Sequence, residues 1–232
     1  MSAIGDPAPR GGGRGRVTGE QLYVADIHVP NELHVKLVTL PCARGRIGAI
    51  DGTAALKVPG AIAVFSAADL PQPMPRFGPQ FSDRPVIATD ETKYHGDPVA
   101  AVAAETLDAA EEAARLVKIE YEELPAVTTI AAARAADAPL VQDPSLRPKD
   151  DRATTNVLRE HVVGWGDLDE AAKHADVVVE NTYRFPMVTH FAIEPHAFIA
   201  APDGDGIKVW SSIQHPYWLQ RVLAGVLKLP LA

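Results

Sequence analysis

The sequence predicts an α+β protein built in two parts, and three observations support this. Patterns of short strands and short helices alternate from residue 17 to about residue 125. Residues 126–155 are then rich in Ala, Asp and Pro, which is typical of a linker, before strand patterns return. The 232 residues, 47% hydrophobic and 22% charged, are enough for about one or two folded domains. We expect a flexible leader at 1–16, an α+β domain at 17–125, the linker, and a second α+β segment at 156–232.

Strand patterns in the first domain are of two kinds. Leu33, Val35 and Leu37 alternate with His34, Lys36 and Val38, the period of two that predicts a strand. Pro98–Ala104 is almost continuously apolar, which indicates a strand buried on both faces. The strands predicted for this domain are Leu33–Leu40, Arg46–Ile50, Ala61–Phe65, Pro98–Ala104 and Val117–Glu122.

Two helices are predicted between these strands. Asp51 stands where an N-cap belongs ahead of Ala54–Val58, and a Pro-Gly pair ends that short helix. Thr106 can cap the second helix. Its apolar positions recur at helical spacing and are Leu107, Ala110, Ala114 and Val117.

Glycine and proline mark the irregular segments. In the leader, Gly11, Gly13 and Arg16 loosely match a dinucleotide-binding fingerprint, but no strand precedes them, so no phosphate loop is predicted. The stretch between residues 71 and 85 is interrupted too often by proline for regular structure and is predicted to be an extended surface loop. Its prolines are Pro71, Pro73, Pro75, Pro79 and Pro85.

The second part of the chain shows strand and helix patterns of similar length. One short helix is predicted within the linker at Ile130–Ala136. Helices are also predicted at Asp167–His174 and Tyr217–Leu227. The predicted strands are Val157–Val163, Val177–Phe185, Ala197–Ala201 and Ile207–Ile213.

Composition disfavours several classes of protein. The formal net charge is −8, whereas a nucleic-acid-binding domain normally concentrates Lys and Arg on one face. No apolar run approaches the ~20 residues that cross a bilayer, and the first residues lack the apolar core of a secretory signal. The single cysteine, Cys42, excludes a disulfide within the chain. We therefore expect a cytoplasmic protein that contacts neither nucleic acid nor membrane.

The segment that carries two histidines and a carboxylate is a candidate metal site. His190, Glu194 and His196 would share one face of a strand, because side chains repeat at every second residue. Imidazole and carboxylate groups are competent ligands for zinc or iron. However, Pro195 interrupts the strand and no fourth ligand is evident, which favours a polar strand end instead.

Two further features admit a chemical and a structural interpretation. His95 and Asp97 could form an acid–base pair, but residues two apart around a glycine more often close a turn. Cys42 could be a nucleophile, but a lone cysteine among apolar residues is more often a buried hydrophobe. Composition and spacing alone identify no catalytic site.

A series of motifs in fixed order changes this result. The motifs are Val17-Thr-Gly19 with Tyr23-Val-Ala-Asp26, Arg46-Ile47 with Ile50-Asp51, Ala54 with Pro59-Gly60 and Ala63-Val64, His95-Gly-Asp-Pro98-Val-Ala-Ala-Val102, and Ala109 with Ala113-Ala114, Val117, Tyr121-Glu122 and Leu124-Pro125. Together they resemble the α/β-hammerhead domain in the large subunit of the molybdenum hydroxylases, the xanthine dehydrogenase and aldehyde oxidase family.

The second half is similar to the start of that family's molybdopterin-binding region. The resemblance implies a molybdenum–molybdopterin cofactor, with Gln214 beside the metal centre and hydrogen-bonded to an oxo ligand. A neutral amide suits this task because it donates a hydrogen bond without adding charge. We assign Gln214 to catalysis and cofactor binding, and we assign no metal ligand. The matching segments are Ala175–Glu180, His190-Phe191 with Glu194-Pro-His196, Val209–Gln214, and Leu223-Ala224 with Leu227 and Leu229-Pro230.

The chain departs from the family pattern in two places. Leu40–Ile47 reads Leu-Pro-Cys-Ala-Arg-Gly-Arg-Ile where the family usually has Ser-Pro-His-Ala-His-Ala-Arg-Ile, which leaves the substrate open. The sequence also stops ahead of the family's Gly-rich loop and its general-base glutamate. We therefore expect an incomplete molybdopterin-binding domain that is inactive alone and is completed by a C-terminal chain from a split gene.

The resemblance implies oxidative hydroxylation of a small molecule, an aldehyde or an N-heterocycle, with water as the oxygen source. Electrons would pass to iron–sulfur and FAD groups on partner subunits. One alternative is a non-catalytic truncated copy or an assembly and interaction module, and another is a small-ligand binding protein without a redox role. A downstream reading frame that begins near the Gly-rich loop would favour the enzyme.

Overall fold

The computed structural model describes residues 4–5, 7, 10–78 and 81–231, and its mixture of helices and strands confirms the predicted α+β class. The chain divides into two compact units. The first comprises Met1–Ala126 with Glu194–Ala232, and the second comprises Val127–Ile193. Within the described ranges, every helix is too short or too polar to cross a bilayer.

The bounds of the regular elements are as follows. The strands are β1 (His34–Thr39), β2 (Gly45–Asp51), β3 (Ala61–Ser66), β4 (Arg76–Phe77), β5 (Arg84–Pro85), β6 (Pro98–Ala104), β7 (Lys118–Glu123), β8 (Phe198–Asp203) and β9 (Gly206–Ser211). The helices are α1 (Gly13–Thr18), α2 (Leu107–Leu116), α3 (Ile130–Ala133), α4 (Leu168–Lys173) and α5 (Pro216–Leu227). Helices α3 and α4 belong to the second unit, and the other elements belong to the first.

Strand β6 is the centre of the first unit. It pairs antiparallel with β1 on one side and with β3 on the other, so its backbone polar groups are satisfied on both edges. Val102 lies opposite both Lys36 and Val64 in this register. The continuous apolar run in the sequence is explained by this position, since Val99 and every residue from there to Ala104 are buried.

Helix α2 covers one face of this sheet. The Thr106 hydroxyl caps it by accepting a hydrogen bond from the Ala109 N–H at 3.2 Å. The helix buries alanines, and small side chains let its backbone approach the sheet closely. The core formed in this way consists of Ala55, Val58, Val102, Ala104, Ala109, Ala110, Ala113 and Val117.

Strands β2 and β7 form a second, separate sheet. Strand β2 pairs antiparallel with β7, with Ile50 opposite Ile119. Leu40, Cys42 and Val99 form a buried cluster against which these isoleucines pack. The cluster therefore joins β6 to the β2–β7 pair.

Strands β8 and β9 form a hairpin, and α5 follows it. The pairing runs from Phe198 opposite Ser211 to Asp203 opposite Gly206. Gly204 takes a positive φ of 56° in the connecting turn, a conformation that glycine adopts at low cost. This hairpin and helix group with the first unit, although the sequence predicted them with residues 156–193.

Two predicted strands, Val157–Val163 and Val177–Phe185, are corrected by the structure. Both segments are irregular, and their apolar side chains are exposed, by 77% at Val177 and by 95% at Phe185. A strand forms only where a neighbour pairs with its N–H and C=O groups. None of the described strands supplies that neighbour, so β propensity alone did not produce a strand here.

Other differences are local. The predicted helix Ala54–Val58 is a single 3-10 turn at Ala55–Lys57, because the following Pro-Gly pair leaves room for one turn. The leader is not irregular throughout, since α1 begins at Gly13. The proline-rich loop contains the short β4–β5 pair, and Pro79 lies outside the described residues.

The predicted linker is organised around one side chain. The Asn156 Oδ1 accepts a hydrogen bond from the Val141 N–H at 2.9 Å. Its Nδ2 donates to the carbonyl oxygens of Ala133 and Pro139 at 3.2 and 3.1 Å. One amide thus connects the end of α3 with the stretch around Pro139 and Val141, which composition does not reveal.

We expect Val102→Ala to lower the free energy of unfolding by about 2 kcal/mol, because two buried methyl groups are lost and a cavity remains. Urea unfolding followed by circular dichroism measures this. The control is Val35→Ala on the neighbouring strand, where the side chain is 59% exposed and a change within about 0.5 kcal/mol is expected. Equal losses in the two variants would contradict the central position of β6.

Candidate functional site

Gln214 lies in the bend between the end of β9 and the start of α5. Pro216 occupies the first helical position, where its fixed φ and missing N–H suit the start of a helix. The Gln214 side chain is exposed, and among the described residues it has no hydrogen-bond partner. Its amide is therefore free to donate to a group that approaches from outside the chain.

The backbone ahead of Gln214 is held in place by the start of β8. The Ser212 N–H donates to the Ala197 carbonyl oxygen, and the Ala197 N–H donates to the Ser212 hydroxyl oxygen, both at 3.4 Å. The Ile213 N–H donates to the Ser211 hydroxyl oxygen at 3.2 Å. The bend that carries Gln214 is thus fixed by several weak bonds at its origin and by a helix at its end.

A cleft of about 750 Å³ lies between the β8–β9 hairpin and α5. Its volume is within the range of small-molecule sites, about 300–1,000 Å³. Apolar side chains such as Val209, Leu219 and Leu223 line it. Ile213 and Pro216 also belong to its wall, so Gln214 stands at the margin of an apolar surface.

The candidate metal site on residues 190–196 does not form. Within the described part of the chain, no group of three or more His, Cys, Asp or Glu side chains is arranged to hold a metal ion. The segment is irregular, with no strand to align His190 and His196. Glu194 binds the backbone instead: its Oε1 accepts a hydrogen bond from the Val24 N–H at 3.2 Å.

His95 and Asp97 belong to a turn, as their spacing around Gly96 predicts. The buried Asp97 carboxylate accepts from the Lys93 N–H at 2.9 Å, and the Asp97 N–H donates to the Tyr94 carbonyl oxygen at 3.2 Å. Gly96 has a φ of 93°. Burial and the nearby Asp97 carboxylate raise the pKa of the Tyr94 hydroxyl. Asp97 therefore stabilises the turn that leads into β6.

Cys42 is a buried free thiol in the cluster with Leu40 and Val99. Its environment is apolar, which agrees with the structural interpretation of a lone cysteine. We assign Cys42 to the core and not to a site.

Arg44 lies in the stretch that departs from the family pattern and has a structural role. It forms a forked pair with Glu91, with Nη2 at 3.0 Å from Oε2 and 3.1 Å from Oε1, and it also donates to the Pro125 carbonyl oxygen at 3.3 Å. The Lys93 ammonium binds the same carboxylate. Burial alone would raise the pKa of Glu91, but the hydrogen bonds from Lys93 and Arg44 outweigh it and leave the pKa below its ordinary value. These groups connect loops around β2.

Gln214 is not found by residue chemistry alone, since a glutamine at a strand end needs no function. The hydrogen bond of Glu194 was also missed, because its partner lies 170 residues earlier in the sequence. A carboxylate between two histidines suggested a metal site, whereas in the structure Glu194 binds the backbone of a residue that is distant in sequence.

Two family descriptions match the chain in succession. The description "Aldehyde oxidase and xanthine dehydrogenase, a/b hammerhead domain" matches residues 18–125. The description "Molybdopterin cofactor-binding domain" matches residues 149–232. The order of the two matches is the order of the motifs found in the sequence.

Similar proteins include a probable xanthine dehydrogenase subunit of Bacillus subtilis (strain 168), 34% identical over 221 residues, or 94% of this chain. The nicotinate dehydrogenase large molybdopterin subunit of Eubacterium barkeri is 32% identical over 216 residues, or 93% of this chain. This chain spans 28% of the first relative's length and 48% of the second's. The crystal structure of quinoline 2-oxidoreductase from Pseudomonas putida 86 superposes with a TM-score of 0.80 at 26% identity, over 94% of this chain and 28% of that one.

We expect Arg44→Ala to lower the free energy of unfolding at neutral pH by about 1.5 kcal/mol, because the half-buried pair with Glu91 is lost. A guanidinium chloride titration measures this. The matched control is Arg46→Ala, whose pair with Glu122 is exposed, so a change within about 0.5 kcal/mol is expected.

The same pair gives a pH dependence with a defined sign. Because the folded state lowers the pKa of Glu91, its stabilising effect is present at neutral pH and is lost as the pH falls below 4.5, the ordinary pKa of the group. The difference in stability between the wild type and Arg44→Ala should therefore shrink in acid. A constant difference from pH 7 to pH 3 would contradict the assignment.

Proposed function

Because the chain belongs to the aldehyde oxidase and xanthine dehydrogenase family, we propose that it is the N-terminal portion of the molybdopterin-binding subunit of a molybdenum hydroxylase. Such an enzyme converts a C–H bond of an aldehyde or an N-heterocycle into C–OH with oxygen from water, and two electrons and two protons leave. The observation that carries the proposal is the free amide of Gln214, held at the end of β9 inside the region matched to molybdopterin binding.

The residues around Gln214 fit an oxo-bearing, anionic cofactor. The Gln214 amide offers neutral N–H donors, and the first turn of the 12-residue helix α5 presents the positive end of its dipole at the same bend. When bound, the molybdenum cofactor supplies the two-electron redox chemistry. Gln214 would donate a hydrogen bond to this group and so orient it.

We also propose the domain division that the sequence predicts. In it, residues 17–125 are the hammerhead domain and 156–232 are the start of the molybdopterin-binding domain, with a leader at 1–16 and a connection at 126–155. The two family matches, at residues 18–125 and 149–232, support this division, whereas the grouping of residues 194–232 with the first compact unit does not follow it. The sheet of β1, β6 and β3 lies wholly within the first domain.

The proposed partners are subunits that carry iron–sulfur and FAD groups, together with a chain that supplies the remaining molybdopterin-binding residues. An enzyme of several subunits is supported by the two bacterial relatives, because each of them is named as a subunit of a dehydrogenase. The proposed setting is the cytoplasm, and the buried free thiol of Cys42 is compatible with its reducing conditions.

We expect the 232-residue polypeptide, expressed alone, to retain far less than one molybdenum per chain. Cofactor sites need polar groups converging from several segments, and the described residues offer one such segment at Gln214. Elemental analysis of the chain, purified with and without its neighbouring gene products, measures this. Stoichiometric molybdenum in the chain alone would contradict the expectation of a shared site, and its absence in every combination would favour a non-catalytic copy.

In the assembled enzyme, Gln214→Ala should reduce kcat by about 10- to 100-fold while molybdenum content is preserved, because the residue supports a ligand and is not itself a ligand. Gln214→Glu should be at least as damaging, since it replaces a donor with a charged acceptor. Gln72→Ala is the matched control, an exposed glutamine that bonds only to nearby carbonyl oxygens. Unchanged turnover of Gln214→Ala at matched molybdenum content would show that the assignment is wrong.

A further inference from the structure

The second unit ends at Ile193. The next residue, Glu194, belongs to the first unit, and its side chain contacts the N-terminal part of that unit. Its neighbours on both sides are exposed, Ile193 by 98%, whereas Glu194 itself is partly buried. The Oε1 atom accepts a hydrogen bond from the Val24 N–H at 3.2 Å, across 170 residues of sequence. This carboxylate thus adds a side-chain hydrogen bond between the segment and the Val24–Asp26 turn, which strand β8 also approaches.

Val24 needs an acceptor of this kind. It is buried and begins the 3-10 turn Val24–Asp26, and the first N–H groups of a helical turn have no acceptor within the turn. The turn satisfies the preceding N–H locally, because the Tyr23 N–H donates to Asp26 Oδ2 at 2.9 Å. Glu194 satisfies the next N–H with a second carboxylate, and such charge-assisted bonds are stronger than neutral ones.

Glu194 lies close in sequence to the residues that bond the backbone just ahead of Gln214. Three residues after Glu194, Ala197 exchanges two hydrogen bonds with Ser212, which lies two residues before Gln214. Those two bonds are long, at 3.4 Å, so they hold the strand end only weakly. Ala197 directly precedes the β8–β9 ladder, whose first pair is Phe198 with Ser211, and Glu194 is an additional anchor on the other side of Ala197.

We propose that Glu194 is a positioning residue for Gln214. By binding the Val24 N–H, its carboxylate fixes the segment up to Ala197, and through the Ala197–Ser212 bonds it fixes the bend that carries the Gln214 amide. This inference rests on the function proposed above, because it assigns Glu194 a part in the same site. It implies that the N-terminal turn at Val24–Asp26 contributes to the geometry of a site almost two hundred residues later in the sequence.

The test uses Glu194→Ala and the conservative variant Glu194→Gln, whose amide oxygen still accepts a hydrogen bond. Glu180→Ala is the matched control, since Glu180 is an exposed glutamate of the preceding segment. The first readout is hydrogen exchange at the Val24 amide in the cofactor-free protein, where Glu194→Ala should accelerate exchange by about tenfold and the other two variants should not. The second is kcat, KM and the Mo(V) electron paramagnetic resonance spectrum of the holoenzyme.

In the holoenzyme, Glu194→Ala should lower kcat by about tenfold at unchanged molybdenum content and should alter the Mo(V) spectrum in the same sense as Gln214→Ala. Glu194→Gln, which keeps the acceptor, should retain the kcat and the spectrum of the wild type. If Glu194→Ala accelerates exchange at Val24 but leaves kcat and the spectrum unchanged, the positioning role is wrong while the proposed function stands. If Gln214→Ala itself has no effect, the assignment of Gln214 is wrong and the positioning role of Glu194 falls with it. An assembled complex that contains no molybdenum and has no turnover would instead contradict the proposed function. Should Glu194→Ala not fold, Glu194→Asp, one methylene shorter, is read in the same way.

Discussion

The burial of β6 is the constraint on which the first unit depends. This strand has neighbours on both edges and is buried on both faces, with Val102 packed in the core that includes α2 and Val99 packed with Leu40 and Cys42, so it carries apolar side chains, and close packing favours small ones. Four of the seven residues in Pro98–Ala104 are alanine, and the residues that α2 buries are also alanines. This strand positions β1 and β3 by pairing with them. Through Val99 it also positions the cluster around Leu40 and Cys42.

Carboxylates that accept from backbone N–H groups recur where the chain changes direction. Asp26 and Asp69 each bond the N–H three residues earlier, and Asp97 bonds the N–H of Lys93. These contacts are local, whereas that of Glu194 reaches a distant turn. An excess of acidic residues over basic ones, 30 against 22, thus has a partly structural explanation: several of them stabilise turns.

The sequence predicts elements well where the forces that form them are local. Pro98–Ala104 has the predicted bounds, and Thr106 caps α2 as expected, because burial pattern and capping are visible in a short window. The strand predicted at Val177–Phe185 fails, since a strand depends on a partner that a window of sequence does not contain. The site follows the same rule. Gln214 is located only through resemblance to a family, and the contact of Glu194 with Val24 is invisible without the fold.

The valine-rich stretch at Val177–Val179 affects the tendency of the newly made polypeptide to aggregate. Its side chains are exposed and its backbone makes no ladder, yet its residues have high β propensity. Such a segment is a template for intermolecular pairing, and the rate of that process rises with concentration. Aggregation and chaperone capture would therefore compete with productive assembly, and the competition would sharpen as the concentration of the free polypeptide rises.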